Sequence, residues 1–300
     1  MSLKTLFVLG KGGTGKSTIA ALMALELAGR NKKTLLVSLD DAHNQSDIFQ
    51  TRFTHKPVRV SPYLRVIQLD RDREIHRYLK GSAAQVKHSF SYLTAFNLDH
   101  YFDVLKLSPG MEEYALVTAY EALIGEYKDY DYLIADMPPT ALSMRFFNLP
   151  ALSLTWIEQL EKLRMEIRKK KEVISTIRMG KKELEQDKIL SRIRRIKSQY
   201  QTTMAAFQDP EKSRIFTVSN PDALSGSETN RINDQLAALD ISVHGRILNQ
   251  RAPGQCTAGS WNPGDPGLIL PFSETPLLGA DRLGDFFVQH NLSFNAMLGD

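Results

Sequence analysis

A glycine-rich loop near the start of the chain combines the residue types that bind a polyphosphate. It occupies residues 10–17 with the sequence GKGGTGKS, after an apolar run over residues 5–9 and before a helix-like stretch over residues 17–27. Glycines let backbone N–H groups converge on phosphate oxygens, Lys16 reaches the β- and γ-phosphates, and the Ser17 hydroxyl suits Mg²⁺. The pattern predicts a nucleotide site formed by Gly10, Lys11, Gly12, Gly13, Thr14, Gly15, Lys16, Ser17 and Thr18. The alternative is a glycine turn without a ligand, which does not require Lys16 and Ser17 together.

A second lysine, Lys11, follows the first glycine, where an ordinary phosphate loop does not require one. With it, the loop resembles the deviant Walker A loop shared by the partition and division-site ATPases, the nitrogenase iron protein and the arsenite-pump ATPases. The resemblance implies an ATP-dependent homodimer in which two subunits enclose two nucleotides. Lys11 would contact the nucleotide across the dimer, and both Lys11 and Lys16 would be catalytic. A solvated loop lysine is the alternative for Lys11.

A carboxylate, Asp40, follows the second apolar strand. Residues 38–47 read SLDDAHNQSD and resemble the first switch of the arsenite-pump and tail-anchored-protein-targeting ATPases, whose usual form is Ser-Thr-Asp-Pro-Ala-His-x-x-Ser-Asp. The resemblance implies that Asp40 orients the attacking water and belongs to the metal side of the site. Phosphoryl transfer depends on such positioning more than on a strong base. A strand-end aspartate that caps the next helix is the alternative. Asp41 replaces the family's proline.

Another carboxylate, Asp136, ends the apolar run over residues 132–135. Residues 136–140 (DMPPT) match the family's second switch, Asp-Thr-Ala-Pro-Thr, and residues 145–150 (RFFNLP) match its Arg-Phe-Leu-x-Leu-Pro. The resemblance makes Asp136 the magnesium-side carboxylate, with Ser17 as the second metal-side residue. Contact through water is expected, because Mg²⁺ keeps much of its hydration. Between the two motifs the family has Gly-His, whereas this chain has Ala141 and Leu142.

The later part of the chain resembles the base-binding region of the same family. Residues 247–250 (ILNQ) match its adenine-reading Val-Asn-Gln, which assigns the base to the Asn249 amide. Asp222 stands where the family has a glutamate, ahead of the base site. Residues 271–283 resemble the closing base loop and add Pro271 and Phe272 to the expected nucleotide contacts.

Apolar runs typical of strands alternate with segments of helical periodicity along most of the chain. This alternation predicts an α/β fold, a P-loop NTPase whose mostly parallel sheet is covered by helices on both faces. Such sheets bind ligands beyond the carboxyl ends of their strands. The strand runs are 5–9, 34–39, 65–69, 132–135, 214–218, 246–248 and 268–270.

Residues 151–207 break this alternation. Apolar side chains keep a four-three spacing on both sides of Gly180, which predicts two antiparallel helices joined near residues 178–182. We therefore expect a P-loop ATPase core over residues 1–150 and 208–300, with a helical segment at 72–118. The insertion over residues 151–207 is expected to be a basic helical hairpin.

The insertion carries the basic character of the chain. Residues 161–200 contain 14 Lys and Arg but 6 Asp and Glu, a net charge of +8, whereas the whole chain carries +4. One interpretation is a solvated helical face. The other is a docking arm for an acidic partner, an anionic membrane surface or a hydrophobic client. Few aromatic side chains accompany these cations, which argues against a nucleic-acid partner.

The single cysteine of the chain argues against several metal centres. Cys256 does not supply the paired thiolates of an iron–sulfur cluster, the C-x-x-C of a zinc site or the several thiols of an arsenite site. We therefore expect no iron–sulfur cluster, zinc or arsenite. The sequence contains no pattern typical of a secretory leader or a membrane span, so we expect a cytoplasmic protein.

The sequence thus predicts a nucleotide-gated homodimer that hydrolyses ATP to ADP with Mg²⁺. By resemblance it is an anion-transport-type ATPase without an arsenite thiol site, and hydrolysis drives the binding or delivery of a client. One alternative is a partition or positioning regulator that binds membrane or nucleoid in its ATP form, although residues 281–300 lack the basic or amphipathic pattern typical of that class. The other is a nucleotide-binding scaffold with little turnover.

Overall fold

A mixed sheet organises the residues that the computed structural model describes, which are 3–42, 44–89, 108, 110–179, 187–252 and 267–298. Its strands are β1 (Lys4–Gly10), β2 (Thr34–Ser38), β3 (Val58–Arg59), β4 (Leu64–Gln68), β5 (Tyr132–Asp136), β6 (Ser213–Ser219), β7 (Val243–Arg251) and β8 (Gly267–Pro271). The order across the sheet is β3-β4-β2-β5-β1-β6-β7-β8. The neighbours pair in parallel, except that the two-residue β3 runs antiparallel to β4 at the edge.

Helices connect the strands and cover the sheet. Within the described residues they are α1 (Lys16–Gly29), α2 (Asn44–Ile48), α3 (Arg71–Ser89), α4 (Met111–Glu126), α5 (Thr140–Met179), α6 (Lys188–Gln208), α7 (Ala223–Ala237), α8 (Ala280–Gln289) and α9 (Asn295–Leu298). None of the described helices combines the length and apolarity that a membrane span requires.

The central strand β1 has two buried faces. Leu6 and Val8 pack into the core that α1, α8 and α9 share, whereas Phe7 and Leu9 pack into the core formed with α4 to α7. All four side chains are fully buried. A strand buried on both sides requires helices on both faces of the sheet, as is usual for parallel strands. The predicted α/β fold with a mostly parallel, doubly covered sheet is confirmed.

Parallel pairing places the functional candidates along one edge. Gly10, Ser38, Asp136, Ser219 and Pro271 are the last residues of β1, β2, β5, β6 and β8. Because these strands run in the same direction, their carboxyl ends share the edge where sheets of this type bind ligands.

The hairpin begins inside a longer helix than the sequence suggested. α5 runs for 40 residues from Thr140 to Met179 and contains Pro150. The expected domain boundary at residue 150 therefore coincides with no break in secondary structure, and the division into core and insertion stays a prediction. Much of the expected turn near residues 178–182 lies outside the described residues.

Ion pairs join α5 to α6 and fix their relative direction. Arg164 lies 2.9 Å from Asp187, and Glu161 lies 2.8 Å from Arg194 and 3.2 Å from Lys197. As the residue number falls along α5, that of its partner rises along α6, so the two helices are antiparallel.

Candidate functional site

Glycine is required at two positions of the loop between β1 and α1. Gly10 has a φ of 154°, and a Cβ there would collide with the carbonyl oxygen of Val218 on β6. Gly15 has a φ of 88°, and a Cβ there would collide with the Asn249 side chain. Gly15 also starts α1 without a side-chain cap, so the first N–H groups of the helix remain available to an anion. The loop is therefore shaped as a backbone cradle for phosphate.

Lys16 places a buried ammonium beside this cradle. Its Nζ donates a hydrogen bond of 3.3 Å to the Lys11 carbonyl oxygen, which also accepts one of 2.8 Å from the Thr14 hydroxyl. Burial lowers the pKa of Lys16, while the charges of Asp136, Asp40 and Glu228 oppose this shift. The ammonium thus lies among three carboxylates at the point where a polyphosphate would add further negative charge.

Asp136 is the most deeply buried carboxylate of the site. Its Oδ2 accepts a hydrogen bond of 2.9 Å from the Gln45 amide, and its Oδ1 is buried without a partner in the described residues. Burial raises the pKa of Asp136 to about 6, while the Gln45 amide, the nearby Ser17 hydroxyl and the Lys16 charge oppose the rise. A carboxylate with an unpartnered oxygen next to a serine hydroxyl is a hard oxygen donor set, which fits Mg²⁺ and its hydration water.

Asp40 lies two residues beyond the end of β2. Its Oδ1 accepts a hydrogen bond of 3.2 Å from the Ala42 N–H, and its charge acts on Lys16. The Leu39 N–H donates a hydrogen bond of 2.9 Å to the main-chain oxygen of Asp136, which connects this segment to the end of β5. Asp40 and Asp136 therefore approach the same ammonium from neighbouring strands.

Asp41 connects the segment after β2 to two helices. Its carboxylate pairs with Arg71 at 2.9 Å, and Arg71 also pairs with Glu112 of α4 at 3.1 Å. Burial raises the pKa of Asp41, and the Arg71 charge opposes the rise. The segment that lacks the family's proline is thus held by ion pairs at the start of α3.

The other loop residues differ in their exposure. Thr14 and Ser17 are buried, whereas Gly12 and Gly13 are exposed. Thr18 is half-buried in the first turn of α1, and Lys11 is half-buried. The contacts across a dimer assigned to Lys11 stay a prediction.

The expected base-binding residues do not form one cluster of contacts. Asn249 is buried, and its Nδ2 donates a hydrogen bond of 2.8 Å to the Thr14 carbonyl oxygen. The Asn249 amide therefore contacts the phosphate loop itself. Asp222 caps α7 by accepting a hydrogen bond of 2.8 Å from the Ser225 N–H. Pro271 ends β8, and the following Phe272 is 53% exposed. Base binding by these residues stays a prediction.

Three polar side chains that no sequence motif marks as functional enter the site. Gln45 donates a hydrogen bond to Asp136, and Asn44 donates one of 3.3 Å to the Ser17 hydroxyl oxygen. The negative charge of Glu228 acts on the Lys16 ammonium. Glu228 also accepts a hydrogen bond of 2.5 Å from the Thr140 hydroxyl. Asn44 and Gln45 lie inside the first-switch motif, but nothing in the motif indicates which of its polar residues turn inward.

Comparison with known proteins decides the family. The sequence profile of the anion-transporting ATPases matches residues 3–259. The chain belongs to this ATPase family. The match covers the phosphate loop, both switch segments and Asn249, whereas Pro271 and Phe272 lie beyond it.

Curated relatives of this ATPase carry names from the same family. The chain is 29% identical over 249 residues to the protein "ATPase GET3A" of Arabidopsis thaliana, an alignment that covers 83% of this chain and 67% of that protein. It is 26% identical over 251 residues to "ATPase ASNA1 homolog" of Cryptosporidium parvum, with 83% and 65% covered. The Plasmodium falciparum protein of the same name is 28% identical over 256 residues, with 83% and 63% covered. The chain spans about two thirds of the length of these relatives.

Proposed function

We propose that this protein is a magnesium-dependent ATPase that works as a nucleotide-gated homodimer and delivers a hydrophobic client, as in tail-anchored-protein targeting. One observation carries the proposal: buried Lys16 lies in a glycine cradle beside Asp136, whose buried Oδ1 has no partner in the described residues. A cation suited to phosphate and a carboxylate suited to Mg²⁺ thus lie together at the carboxyl-terminal edge of the sheet. Membership of the anion-transporting ATPase family supports ATP as the nucleotide.

Each residue of the site has a distinct task in this proposal. Lys16 and the N–H groups of residues 12–16 bind the phosphates, and Lys11 contacts the nucleotide across the dimer. Asp40 orients the water, since positioning dominates phosphoryl transfer. Ser17 and Asp136 would hold Mg²⁺, which would supply neutralisation of the negative charge on the phosphate oxygens when bound.

The second switch leads directly into the hairpin. Asp136 ends β5, and only residues 137–139 separate it from α5. Phe146 and Phe147, near the start of α5, pack against Phe7 of β1 at ring-centroid distances of 6.1 and 5.1 Å. We propose that a change at Asp136 moves α5 as a unit, because a continuous helix in a packed aromatic cluster transmits displacement along its length.

The hairpin presents apolar side chains to solvent. Leu152, Trp156 and Leu163 are 64%, 66% and 54% exposed, and their spacing of four and seven places them on one face of α5. Exposed apolar residues beside dense positive charge suit a hydrophobic helical client and, through the cations, an anionic membrane surface. We propose this face, defined by Leu152, Trp156 and Leu163, as the client surface.

Phosphate release from ATP with Mg²⁺ tests the proposed activity. Wild type should release phosphate, and Lys16→Ala should lower turnover by about 10²- to 10³-fold, because it removes a buried charge that faces the transferred group. Lys33→Ala is the control, since Lys33 is exposed and precedes β2 at the opposite edge of the sheet. Equal turnover in wild type and Lys16→Ala would refute the assignment.

A further inference from the structure

Gln45 is a fully buried amide at the junction of three elements. It lies on α2. Its Nε2 donates one hydrogen bond of 2.9 Å to Asp136 Oδ2 at the end of β5 and another of 3.0 Å to the main-chain oxygen of Ser17 in α1. One amino group therefore links the magnesium-side carboxylate to the helix that carries the magnesium-side serine.

These two partners determine the orientation of the amide. Both are acceptors, so the amino group must face them and the carbonyl oxygen must point elsewhere. That oxygen, Gln45 Oε1, is buried without a partner in the described residues, as is Asp136 Oδ1. A buried acceptor without a donor costs about 1–3 kcal/mol. Two such oxygens on bonded side chains therefore indicate that a hydrogen-bond donor enters here when the site is complete.

Hydrated magnesium supplies donors of this kind. Mg²⁺ is bound through few protein oxygens and keeps several waters, whose O–H groups need acceptors. Groups just outside the ligand sphere orient the ligands and tune metal affinity. We infer that Gln45 is a positioning residue for the magnesium side: its amino group fixes the Asp136 carboxylate, and its carbonyl oxygen accepts from the ion's hydration water. The inference rests on the proposed magnesium-dependent ATPase site.

A magnesium titration of nucleotide binding tests the inference without turnover. A fluorescent, non-hydrolysable ATP analogue is bound first in EDTA and then at increasing Mg²⁺, for wild type and Gln45→Met. Methionine keeps the length of glutamine but cannot donate or accept in the same way. The Mg²⁺ concentration at the midpoint of this titration (the Mg²⁺ midpoint) should rise about 10- to 100-fold in Gln45→Met, as for other losses of metal-orienting groups. Affinity in EDTA should stay within about threefold, since the phosphate cradle is untouched.

Gln68→Met is the matched control. Gln68 is 2% exposed and accepts a hydrogen bond of 2.7 Å from Ser46, the neighbour of Gln45 on α2. This change disturbs the packing of the same helix, so an equal rise in the Mg²⁺ midpoint would overturn the specific role of Gln45. Gln45→Leu repeats the test with a different apolar side chain, and circular dichroism selects the variants that fold.

The results of this titration distinguish a failure of the role of Gln45 from a failure of the proposed ATPase function. An unchanged Mg²⁺ midpoint in the folded Gln45 variants, or an equal loss of affinity in EDTA and in Mg²⁺, overturns the inference and leaves the proposed function standing. Wild-type binding that does not depend on Mg²⁺ overturns both.

Discussion

At the scale of single residues, burial distinguishes the two candidate carboxylates. Asp136 is fully buried with a pKa raised to about 6, whereas half-buried Asp40 accepts a hydrogen bond from Ala42. A buried carboxylate that hydrogen-bond donors hold in place is suited to binding a cation. A more accessible carboxylate is suited to orienting a water molecule. The different environments therefore support different tasks for two aspartates that each follow an apolar run in the sequence.

The role of Asp40 leads to the first prediction. Asp40→Asn should lower ATP turnover by at least about 10²-fold, because the amide orients the attacking water poorly. Nucleotide affinity should stay within about threefold, since Lys16 and the loop are unchanged. Phosphate release and equilibrium binding of an ATP analogue measure the two quantities.

Asp70 provides the control for this prediction. It follows β4 as Asp40 follows β2, but its carboxylate caps α3 through a hydrogen bond of 2.8 Å from the Arg73 N–H. Asp70→Asn keeps a capping acceptor and should leave turnover near the wild-type value. If Asp40→Asn behaves like Asp70→Asn, Asp40 is only a strand-end cap.

At the scale of elements, α6 begins at an aspartate with two functions. The Asp187 carboxylate accepts hydrogen bonds from the Ile189 and Leu190 N–H groups and pairs with Arg164 of α5. The bond to Arg164 is the main cause that holds the pKa of Asp187 below its usual value. Asp187 thus starts one helix and joins it to the other.

The second prediction follows from this junction. Asp187→Ala should destabilise the first turn of α6 by about 1 kcal/mol, the typical value of a lost helix cap. Amide hydrogen exchange over residues 188–192 measures the effect, and Asp187→Asn, which keeps a capping oxygen, should lose less. Equal protection in Asp187→Ala and wild type would contradict the prediction.

The same pair gives a pH dependence with a defined sign. Because the folded pKa of Asp187 lies below the value of 3.8 for the free side chain, its stabilisation is complete above that pH. It is lost as the pH falls below 3.8 towards the folded pKa. The difference in protection between wild type and Asp187→Asn should therefore shrink in that acidic range.

The client surface on α5 leads to the third prediction. Replacing Trp156 and Leu163 with serine should weaken binding of an apolar helical peptide by at least tenfold, since each buried apolar side chain contributes about 1.5–3 kcal/mol. Val288→Ser is the control, because Val288 is 79% exposed on α8, outside the hairpin. Fluorescence anisotropy of a labelled peptide gives the affinities.

Two other results are informative for the hairpin. Unchanged peptide binding in the serine variant would place the client elsewhere. Loss of binding to anionic vesicles, with peptide binding intact, would indicate that this face meets the membrane instead of the client.

At the scale of the whole molecule, the site is assembled from much of the described sheet. Asp40 follows β2, Asp136 ends β5, Lys16 follows β1 and Asn249 lies in β7. The aromatic cluster of Phe7, Tyr120, Phe146, Phe147 and Phe207 joins β1 to α4, α5 and α6 on one face. The strand that leads into the phosphate loop is therefore packed against the start of α5 and the end of α6.

The proposed dimer gives the fourth prediction. Lys11→Ala should weaken dimerisation in a non-hydrolysable ATP analogue by at least about tenfold, the equivalent of one charged hydrogen bond. Binding of the analogue to the monomer should change by less than about threefold. Light scattering measures the mass, with Lys33→Ala as the control for loss of a lysine charge. A Lys11→Ala protein that dimerises like wild type would refute the role across the dimer.

The expectations about metals and compartment stay predictions. Cys256, on which the absence of zinc, iron–sulfur and arsenite sites depends, lies outside the described residues. The cytoplasmic location and the homodimer are likewise predictions from the sequence. Family membership in the anion-transporting ATPases, in contrast, is confirmed.

Local chemistry allowed the sequence alone to determine the fold class, the ATPase family and the phosphate loop. Strand runs buried on both sides leave continuous apolar segments, and the loop needs glycines, Lys16 and Ser17 at fixed spacing, so both features are recognisable in the sequence. The predicted strand runs match β1, β2 and β4 to β8, while the two-residue β3 is too short to leave such a pattern.

Only the tertiary structure decided which polar side chains turn inward. Gln45 and Glu228 join Asp136 and Lys16 because α2 and α7 pack at the carboxyl edge of the sheet, a contact between residues far apart in the chain. Likewise, the Asn249 amide contacts Thr14 across 235 positions of sequence, which no local pattern specifies. Sequence spacing determines which groups one helix or strand presents, whereas the packing of separate elements determines which of those groups meet.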